Sequence, residues 1–598
     1  MTGLDWLIIG GYFLLAAVIG VAMSGRASGS LADYFVSGRR LPWWLAGTSM
    51  VATTFAADTP LAVTEMVVQH GVAGNWLWWN MVMSGMLTVF FYARLWRRAG
   101  VLTDVELTEI RYGGRPAALL RGFRAGYLAV PINLIIMGWV NLAMAEIVGV
   151  ALNVSQTTAL LFCFFLAASY SVLAGLWGVV VTDFFQFALA VAGAVILAVF
   201  AVDAVGGIGG LERGVADVYG STDAALAFLP TTGATWMPAM TFGVYLGVNW
   251  WASWYPGAEP GGGGYVAQRI FSCRTERDGL LATLWFNIAH YAVRPWPWIL
   301  VALSTTVLYT DLDNPRQGYV LAVMDLLPPG LTGLVLAGFA AAYMSTISTQ
   351  LNWGASYLVN DLWVRFVRPE SGERDLVGVS RAATVLLMLG SLVATYFMTS
   401  IEGAWRFLLA IGAGTGLVLI LRWYWWRINA WSEISAMIAS LVLSLVLWFG
   451  VGLDPDDPVQ WAWIMLATVA GSTLVWVTVT FLTPAEETRV LRDFYLRVRP
   501  GGPGWRHVAG GLGLGGEPID GGPLNWTNWV AGVVSVYATL FGVGRWIFGD
   551  GWQAALWLGT ALACFIWIGR NLRPSRQGID PTRTPVPWHG KSPGERGR

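Results

Sequence analysis

The chain of 598 residues is 56% hydrophobic and only 12% charged, a composition typical of a protein whose main solvent is hydrocarbon rather than water. Its 36 basic and 36 acidic residues give a formal net charge of zero, and the basic residues are scattered between apolar segments, which argues against a nucleic-acid-binding surface. The three cysteines and four histidines are dispersed along the sequence, so neither a disulfide framework nor a metal site is indicated.

Apolar segments of about 20 residues recur from one end of the chain to the other, and each is long enough to cross a hydrocarbon core about 30 Å thick. Because runs such as 461–481 are continuous rather than alternating, they predict helices and not the strands of a barrel. We therefore predict an all-α integral membrane protein with about fifteen transmembrane helices, near residues 4–23, 42–66, 75–97, 118–148, 156–174, 178–202, 238–255, 279–308, 331–360, 377–398, 403–421, 432–451, 461–482, 527–548 and 552–570.

Arginines are distributed unevenly between the loops. The first span contains Asp5 and has no basic residue before it, whereas Arg26, Arg39 and Arg40 follow it, which places the amino terminus outside. With that orientation, arginines gather in the loops on the cytoplasmic side, whereas the acidic segment 454–457 falls on the outer side. The sequence predicts a multi-pass protein of the cytoplasmic (plasma) membrane with its carboxyl terminus inside.

Three segments outside the predicted spans are long enough to form loops of their own. We expect an external loop at about 203–237, a cytoplasmic glycine-rich loop at 483–526, and a disordered tail at 573–598. The segment 527–572 between the last two holds the two additional carboxyl-terminal helices.

The second predicted helix contains the run ATTFAADTP at residues 52–60. Proline suits the first turn of a helix, and Asp58 or Thr59 before it is a favourable N-cap, so the run predicts a helix broken into two halves. Carbonyls freed at such a break can bind a cation, and the new amino end favours electronegative atoms of a solute. The alternative is a kink in which Asp58 is only a cap.

Other predicted helices also carry polar residues at helical spacing. In the ninth, Ser345 and Thr346 offer hydroxyl oxygens suited to a small monovalent ion, or they bond their own helix in a packing interface. In the sixth, Asp183 lies within one turn of Gln186 and is either functional or an interfacial cap. In the seventh, three tryptophans either stack on a solute ring and form a gate or belong to the membrane belt and core, namely Trp250, Trp251 and Trp254.

Taken together, these segments resemble the sodium:solute symporter family, which includes carriers of proline, pantothenate, galactose and sialic acid. The resemblance covers about residues 1–482. Its motifs are DYFVSGRRLPWW at 33–44, AGLW at 174–177 followed by Thr182, Asp183 and Gln186, YVAQR at 265–269, and AAYMSTISTQ at 341–350.

This resemblance implies a leucine-transporter-type fold, in which two inverted five-helix repeats, here about 42–202 and 238–421, form a core surrounded by peripheral helices. It also implies a sodium site made of the backbone carbonyls of Ala52, Phe55 and Ala342 and the hydroxyls of Ser345 and Thr346. Asp183 matches an aspartate that lies near this site or joins a second one.

The sequence departs from the family pattern at two places. A glycine-rich insertion at 256–264 interrupts the seventh helix, and Asp58 stands where well-known members mostly have uncharged residues, so no substrate class is carried over. The candidates for solute binding or gating are Thr54, Asp58, Trp250, Trp251, Trp254 and Tyr255.

The sequence therefore predicts a sodium-coupled symporter that imports a small organic solute by alternating access, with sodium as the coupling ion and no other cofactor. A single copy in the bilayer suffices for this activity. The alternative is a transporter-like sensor, which is disfavoured because 483–526 and the tail are too short for a kinase or receiver domain. An enzyme is not expected, because the spans lack a His or Cys cluster and paired acids.

Overall fold

The computed structural model describes residues 1–24, 35–253, 259–398, 401–515 and 517–572. Within these ranges the regular structure is helical, and the only β feature is an isolated bridge between Leu41 and Cys273. The all-α prediction is confirmed.

The amino-terminal helix Gly3–Ser24 precedes a first group of helices. This group opens with the first broken helix, whose halves are Trp43–Thr54 and Asp58–His70. Phe55 ends the first half with φ −87° and ψ 64°, outside the helical region. The group continues with Trp76–Trp79, Val82–Leu87, a π-helical turn Thr88–Tyr92, Ala93–Ala99, Leu107–Arg111, Gly114–Leu152 and Gln156–Ala204.

The structure joins two of the predicted spans. Separate helices at 156–174 and 178–202 are predicted, whereas one helix runs over Gln156–Ala204. This stretch contains no proline, and a glycine in a helix costs only about 1 kcal/mol relative to alanine. The local sequence therefore does not force a break, and the predicted boundary was wrong.

The predicted external loop is largely helical. It contains Gly207–Tyr219 and Thr222–Leu226. The hydroxyl of Tyr219 lies 2.6 and 2.9 Å from the carbonyl oxygens of Val67 and Val68, which fastens this segment to the end of the first broken helix.

A second group begins with a second broken helix. Its first half starts at Ala239–Val244 and continues to Ala252, and its second half is Gly264–Ser272. The glycine-rich insertion thus lies at the break. The helices that follow are Glu276–Ile288, Pro295–Leu308, Gln317–Leu326, Leu331–Val367, Glu373–Tyr396, Ile401–Gly412 and Gly416–Tyr424.

The helix Leu331–Val367 is the most enclosed of the long apolar helices, with 89% of its apolar window buried inside the protein. It packs against the helix Gln156–Ala204, whose apolar, membrane-length part is Gly178–Ala204. It also packs against the amino-terminal helix and against Trp43–Thr54. A helix surrounded on all sides by protein can carry polar residues that lipid would exclude, and Ser345 and Thr346 lie on this helix.

The carboxyl-terminal part adds the helices Ala430–Gly450, Pro458–Leu482, Thr488–Val498, Gly522–Ile547 and Gly551–Asn571. The predicted loop 483–526 therefore contains a helix, and the predicted tail 573–598 lies outside the described residues. Gly522–Ile547 packs on both groups: the indole of Trp529 donates to the carbonyl of Met83 at 2.9 Å, and the indole of Trp296 donates to the carbonyl of Leu540 at 2.7 Å.

In the part of the chain that the structure describes, eight helices are long and apolar enough to cross a membrane. The two broken helices and the segment 76–99 consist of shorter helices, and none of these is long enough to be counted as a membrane-spanning helix. The count of fifteen spans stays a prediction.

Candidate functional site

A buried polar cluster lies where the first broken helix, Gly178–Ala204, Gly264–Ser272 and Leu331–Val367 meet. At its centre the fully buried carboxylate of Asp183 accepts hydrogen bonds from the hydroxyls of Ser345 at 2.6 Å and Ser49 at 2.5 Å. The fold thus brings Asp183 and Ser345 into direct contact, although the sequence separates them by 162 residues.

Arg269 contributes a positive charge to this cluster. Its guanidinium is fully buried and donates to the side chains of Thr349 at 2.8 Å, Gln268 at 2.7 Å and Ser49 at 3.2 Å. A guanidinium nitrogen lies 3.9 Å from a carboxylate oxygen of Asp183. Because a buried charge needs both a counter-charge and hydrogen bonds, Arg269 and Asp183 stabilise one another.

Thr346 lies one residue further along and faces the unwound end of the half-helix Trp43–Thr54. Its hydroxyl is 2.9 Å from the carbonyl oxygen of Thr53 and 3.1 Å from that of Ala342. The carbonyl of Ala52 accepts the backbone N–H of Phe55 at 3.1 Å. Carbonyls at the end of a half-helix, together with nearby hydroxyls, are the ligands that bind sodium in this type of break.

Asp58 is the first residue of the half-helix Asp58–His70, and the cap position is Ala57. The predicted N-cap position was therefore wrong by one residue. Asp58 is 3% exposed, and among the described residues its Oδ1 has no hydrogen-bond partner. A buried carboxylate oxygen without a partner is costly, so a donor or cation supplied by a ligand would stabilise it.

Two residues that the sequence analysis did not select lie beside the same break. His290 Nδ1 is 2.9 Å from the hydroxyl of Thr54, and a guanidinium nitrogen of Arg294 is 3.4 Å from His290 Nε2. A guanidinium only donates, so Nε2 accepts, and Nδ1 carries the proton and donates to Thr54. Both residues fall inside a predicted span, and an ionisable residue there is the signal that would have found them.

Aromatic rings surround these polar groups. Phe55 packs on Trp298 with ring centroids 4.7 Å apart, and the Arg294 guanidinium lies 5.1 Å from the centroid of Trp298. The ring centroids of Trp78 and His290 are 5.4 Å apart. The break therefore combines charged groups with flat apolar faces, which is how sites for small polar solutes are generally built.

Two of the predicted tryptophan candidates, Trp250 and Trp251, contact other parts of the chain. The ring of Trp250 packs on Trp529 of the carboxyl-terminal helix at 5.7 Å, and the indole N–H groups of Trp250 and Trp251 donate to the carbonyls of Leu246 and Gly247 in their own helix. Trp254 and Tyr255 lie outside the described residues. Over the described ranges, no group of three or more His, Cys, Asp or Glu side chains is arranged to hold a metal ion.

Two groups of helices, each opening with a broken helix and meeting at a buried oxygen-rich cluster, define a secondary transporter of the leucine-transporter fold. The chain belongs to the sodium:solute symporter family, whose model matches residues 34–442.

Similar proteins agree with this assignment. The sodium/glucose cotransporter of Vibrio parahaemolyticus is 24% identical over 475 residues, which are 75% of this chain and 86% of that protein. The sodium/mannose cotransporter of Bos taurus is 25% identical over 512 residues, 77% of this chain and 81% of that protein. The structure of a Na+-coupled sialic acid symporter in a substrate-bound, outward-open state matches with a TM-score of 0.66 at 18% identity, covering 81% of this chain and 99% of that one.

Proposed function

We propose that this protein is a sodium-coupled secondary active transporter that imports a small organic solute by alternating access. The observation that carries the proposal is the contact between Asp183, Ser345 and Thr346 and the unwound end of the first broken helix. Family membership supports sodium as the coupling ion. The two observations are independent, because one is geometric and the other rests on the sequence.

The proposed sodium site uses the hydroxyls of Ser345 and Thr346, the carbonyl of Ala342, and the carbonyls of Ala52 and Phe55. Thr346 already contacts a carbonyl of the segment 52–55, so an ion bound there would join that segment to the buried helix Leu331–Val367. Asp183 adds negative charge to the same region. Sodium binding would thereby fix the geometry of the break on which solute binding depends, and this is the physical basis of coupling.

The proposed solute site lies beside the same break. Asp58 offers an acceptor oxygen, Arg294 offers donors, and Thr54 and His290 complete the polar face. Hydroxyl groups both donate and accept, so a polyhydroxylated solute would donate to Asp58 and accept from Arg294, while the rings of Phe55 and Trp298 pack on its apolar face. Relatives named for glucose and mannose transport are consistent with this class.

We further propose that the protein resides in the plasma membrane with its amino terminus outside and its carboxyl terminus inside. This orientation rests on the arginine distribution. We propose no enzymatic activity. None of the described features favours the sensor alternative.

The test is uptake into proteoliposomes that contain the purified full-length chain. A panel of labelled hexoses, inositols, sialic acid and amino acids is offered with an inward sodium gradient or with choline in place of sodium. At least one polyhydroxylated solute should accumulate above its external concentration only with the sodium gradient, and an ionophore that collapses the gradient should abolish the effect. Accumulation that is equal in sodium and choline would refute sodium coupling, and solute binding without flux would favour the sensor.

A further inference from the structure

The glycine-rich insertion forms a turn that holds an acidic side chain in the protein interior. In its described part, the N–H of Gly262 donates to the carbonyl of Glu259 at 2.8 Å, and Gly261 and Gly262 have φ of 78° and 77°, a conformation that favours glycine. The indole of Trp96 donates to the carbonyl of Gly261 at 2.8 Å. Anchored in this way, Glu259 is only 5% exposed.

Beside Glu259 lies a cavity of about 10 Å³, the space that a single water molecule or small ion occupies. It lies between the insertion and the helical segments that follow the two broken helices. Its polar lining consists of Thr88, Glu259, Thr283 and Asn287, and Gly85 and Gly262 complete the wall.

Asn287 points an unpaired acceptor at this space. Its side chain is fully buried, and its Nδ2 donates to the carbonyl of Thr283 at 2.8 Å, so the amide orientation is fixed. Within the described ranges its Oδ1 has no hydrogen-bond partner. A Cβ at Gly85 would come within 1.8 Å of this oxygen, which means that only glycine at position 85 leaves room for the amide.

The two threonine hydroxyls of the lining keep their capacity to accept. The hydroxyls of Thr88 and Thr283 donate to the carbonyls of Ser84 at 3.2 Å and Gly279 at 2.9 Å, which leaves their oxygen lone pairs available. Glu259 brings a carboxylate. A space of this size surrounded by oxygen acceptors and one acidic group matches a cation better than a hydrogen-bond donor of larger size.

We propose that this cavity binds one small monovalent cation, in competition with bulk water, at a site separate from the Asp183, Ser345 and Thr346 cluster. Only one carboxylate lines the cavity, and divalent ions need more charge and a larger set of oxygen ligands. The bound cation joins the insertion to the segments 82–88 and 276–288, and so links the break of the second broken helix to both groups of helices.

The first experiment needs no variant and uses the purified full-length chain in detergent. Equilibrium binding of radioactive sodium should give at least two ions per chain, and choline should not compete. Lithium and potassium are tested as competitors, since the shared chemistry is that of an alkali cation. A stoichiometry of one ion per chain or less would overturn the proposal.

The second experiment assigns the ions to sites. Sodium titrations of thermal stability at constant ionic strength are compared for the wild type, Glu259→Gln, Thr88→Val and the double variant Ser345→Ala with Thr346→Ala. Glu259→Gln and Thr88→Val should weaken the same component of the titration about tenfold or more and leave the other component unchanged, while the double variant should do the reverse. Wild-type titrations in both Glu259→Gln and Thr88→Val would show that the cavity holds water only.

The two proposals fail separately. Loss of the Glu259 component with intact sodium-driven uptake would confirm this site and leave the transport proposal untouched. Absence of sodium-driven uptake in a protein that still shows the Glu259 component would refute the transport proposal alone.

Discussion

Ser49 shows how two opposite charges are held apart and yet stabilised inside the protein. Its hydroxyl donates to Asp183 and accepts from Arg269, while the direct distance between the two charged groups is 3.9 Å. An ion pair at that distance is looser than a bidentate contact at 2.7–2.9 Å. A cation that approaches Asp183 would therefore not have to break a tight salt bridge, in line with the role near the sodium site that we propose for this carboxylate.

The first prediction at the residue scale concerns the proposed sodium ligands. Replacing Ser345 and Thr346 together by alanine removes two oxygen ligands, each worth about 1.5–3 kcal/mol as a charge-assisted contact. We expect the apparent affinity for sodium to fall at least about tenfold, measured as initial uptake rates against sodium concentration in proteoliposomes. The matched control is Ser348→Ala, because the hydroxyl of Ser348 bonds only the carbonyl of Ser345 in its own helix at 3.1 Å. An unchanged sodium dependence in the double variant would contradict the site.

The second prediction concerns Asp58. Because the cap position is Ala57 and Asp58 Oδ1 is unpartnered within the described chain, we expect the charge to act on a ligand rather than on the helix end. Asp58→Asn should raise the KM for the solute strongly at saturating sodium while protein level and thermal stability stay close to wild type. Thr64→Val on the same half-helix is the control, since its hydroxyl bonds the carbonyl of Pro60. Wild-type kinetics of Asp58→Asn at limiting sodium and limiting solute would show that the charge has no such role.

At this scale the sequence indicates residue types but not which of them meet. Ser345, Thr346 and Asp183 are singled out as polar residues inside predicted spans, and the family resemblance then assigns them to a sodium site. His290 and Arg294 are four residues apart in a span, but the contact of His290 with Thr54 depends on how two helices face each other. The relative orientation of the two helices is set by packing between distant parts of the chain. The spacing of residues along one helix carries no information on that orientation.

Among the elements, the amino-terminal helix is held to the core in part by the side chain of Asp5. Asp5 Oδ1 accepts the backbone N–H groups of Gly330 at 2.7 Å and Gly333 at 2.9 Å, which lie at the start of the helix Leu331–Ser356. These are N–H groups that a helix leaves without intrahelical partners. Asp5 thus caps a helix from a distant part of the chain, and a carboxylate at that end is also favoured by the helix dipole.

The third prediction follows from this cap. Asp5→Ala should lower the free energy of unfolding by about 1–2 kcal/mol, the usual cost of losing an N-cap. The measurement is thermal unfolding of the purified protein in detergent, and sodium affinity should remain unchanged because the cap lies far along the helix from Ser345. Asp5→Asn keeps an acceptor oxygen and should retain most of the stability. Equal unfolding temperatures for the wild type and Asp5→Ala would show that the contact contributes nothing.

Element boundaries follow from the sequence where a local signal exists. The first broken helix is predicted because Asp58 and Pro60 lie in the middle of an apolar run, and the structure breaks the helix there. The helices Gly207–Tyr219 and Thr488–Val498 are missed because they are short and amphipathic. Their stability comes from packing on neighbouring segments, which apolar run length does not detect.

Across the whole molecule, charged contacts group the loops in the way that the predicted topology requires. Arg98 pairs with Glu276 at 2.9 Å and with Asp520 at 2.6 Å, and Arg365 pairs with Glu109 at 2.8 Å; all of these lie in segments predicted to be cytoplasmic. Burial alone would raise the pKa of Asp520, but Arg98 and Arg94 hold that pKa below its ordinary value. Asp520 is therefore charged at neutral pH and fastens the carboxyl-terminal helices to the first group.

The last prediction tests the orientation of the whole chain in the membrane. The helix Pro458–Leu482 separates the acidic segment at 454–457 from the arginine-rich helix Thr488–Val498, so the two lie on opposite sides if that helix spans the bilayer. The arginine bias places the helix Thr488–Val498 on the inner side of the membrane.

In a variant whose native cysteines Cys163, Cys273 and Cys564 are replaced by serine, a cysteine at Asp456→Cys should react with a membrane-impermeant maleimide added to intact cells. A cysteine at Asp493→Cys, whose side chain is 70% exposed, should react only after permeabilisation, which also serves as the control for reactivity. Labelling of Asp493→Cys and protection of Asp456→Cys in intact cells would reverse the topology. The carboxyl terminus would then lie outside, because two predicted spans follow position 493, and the charge argument on which the orientation rests would fail.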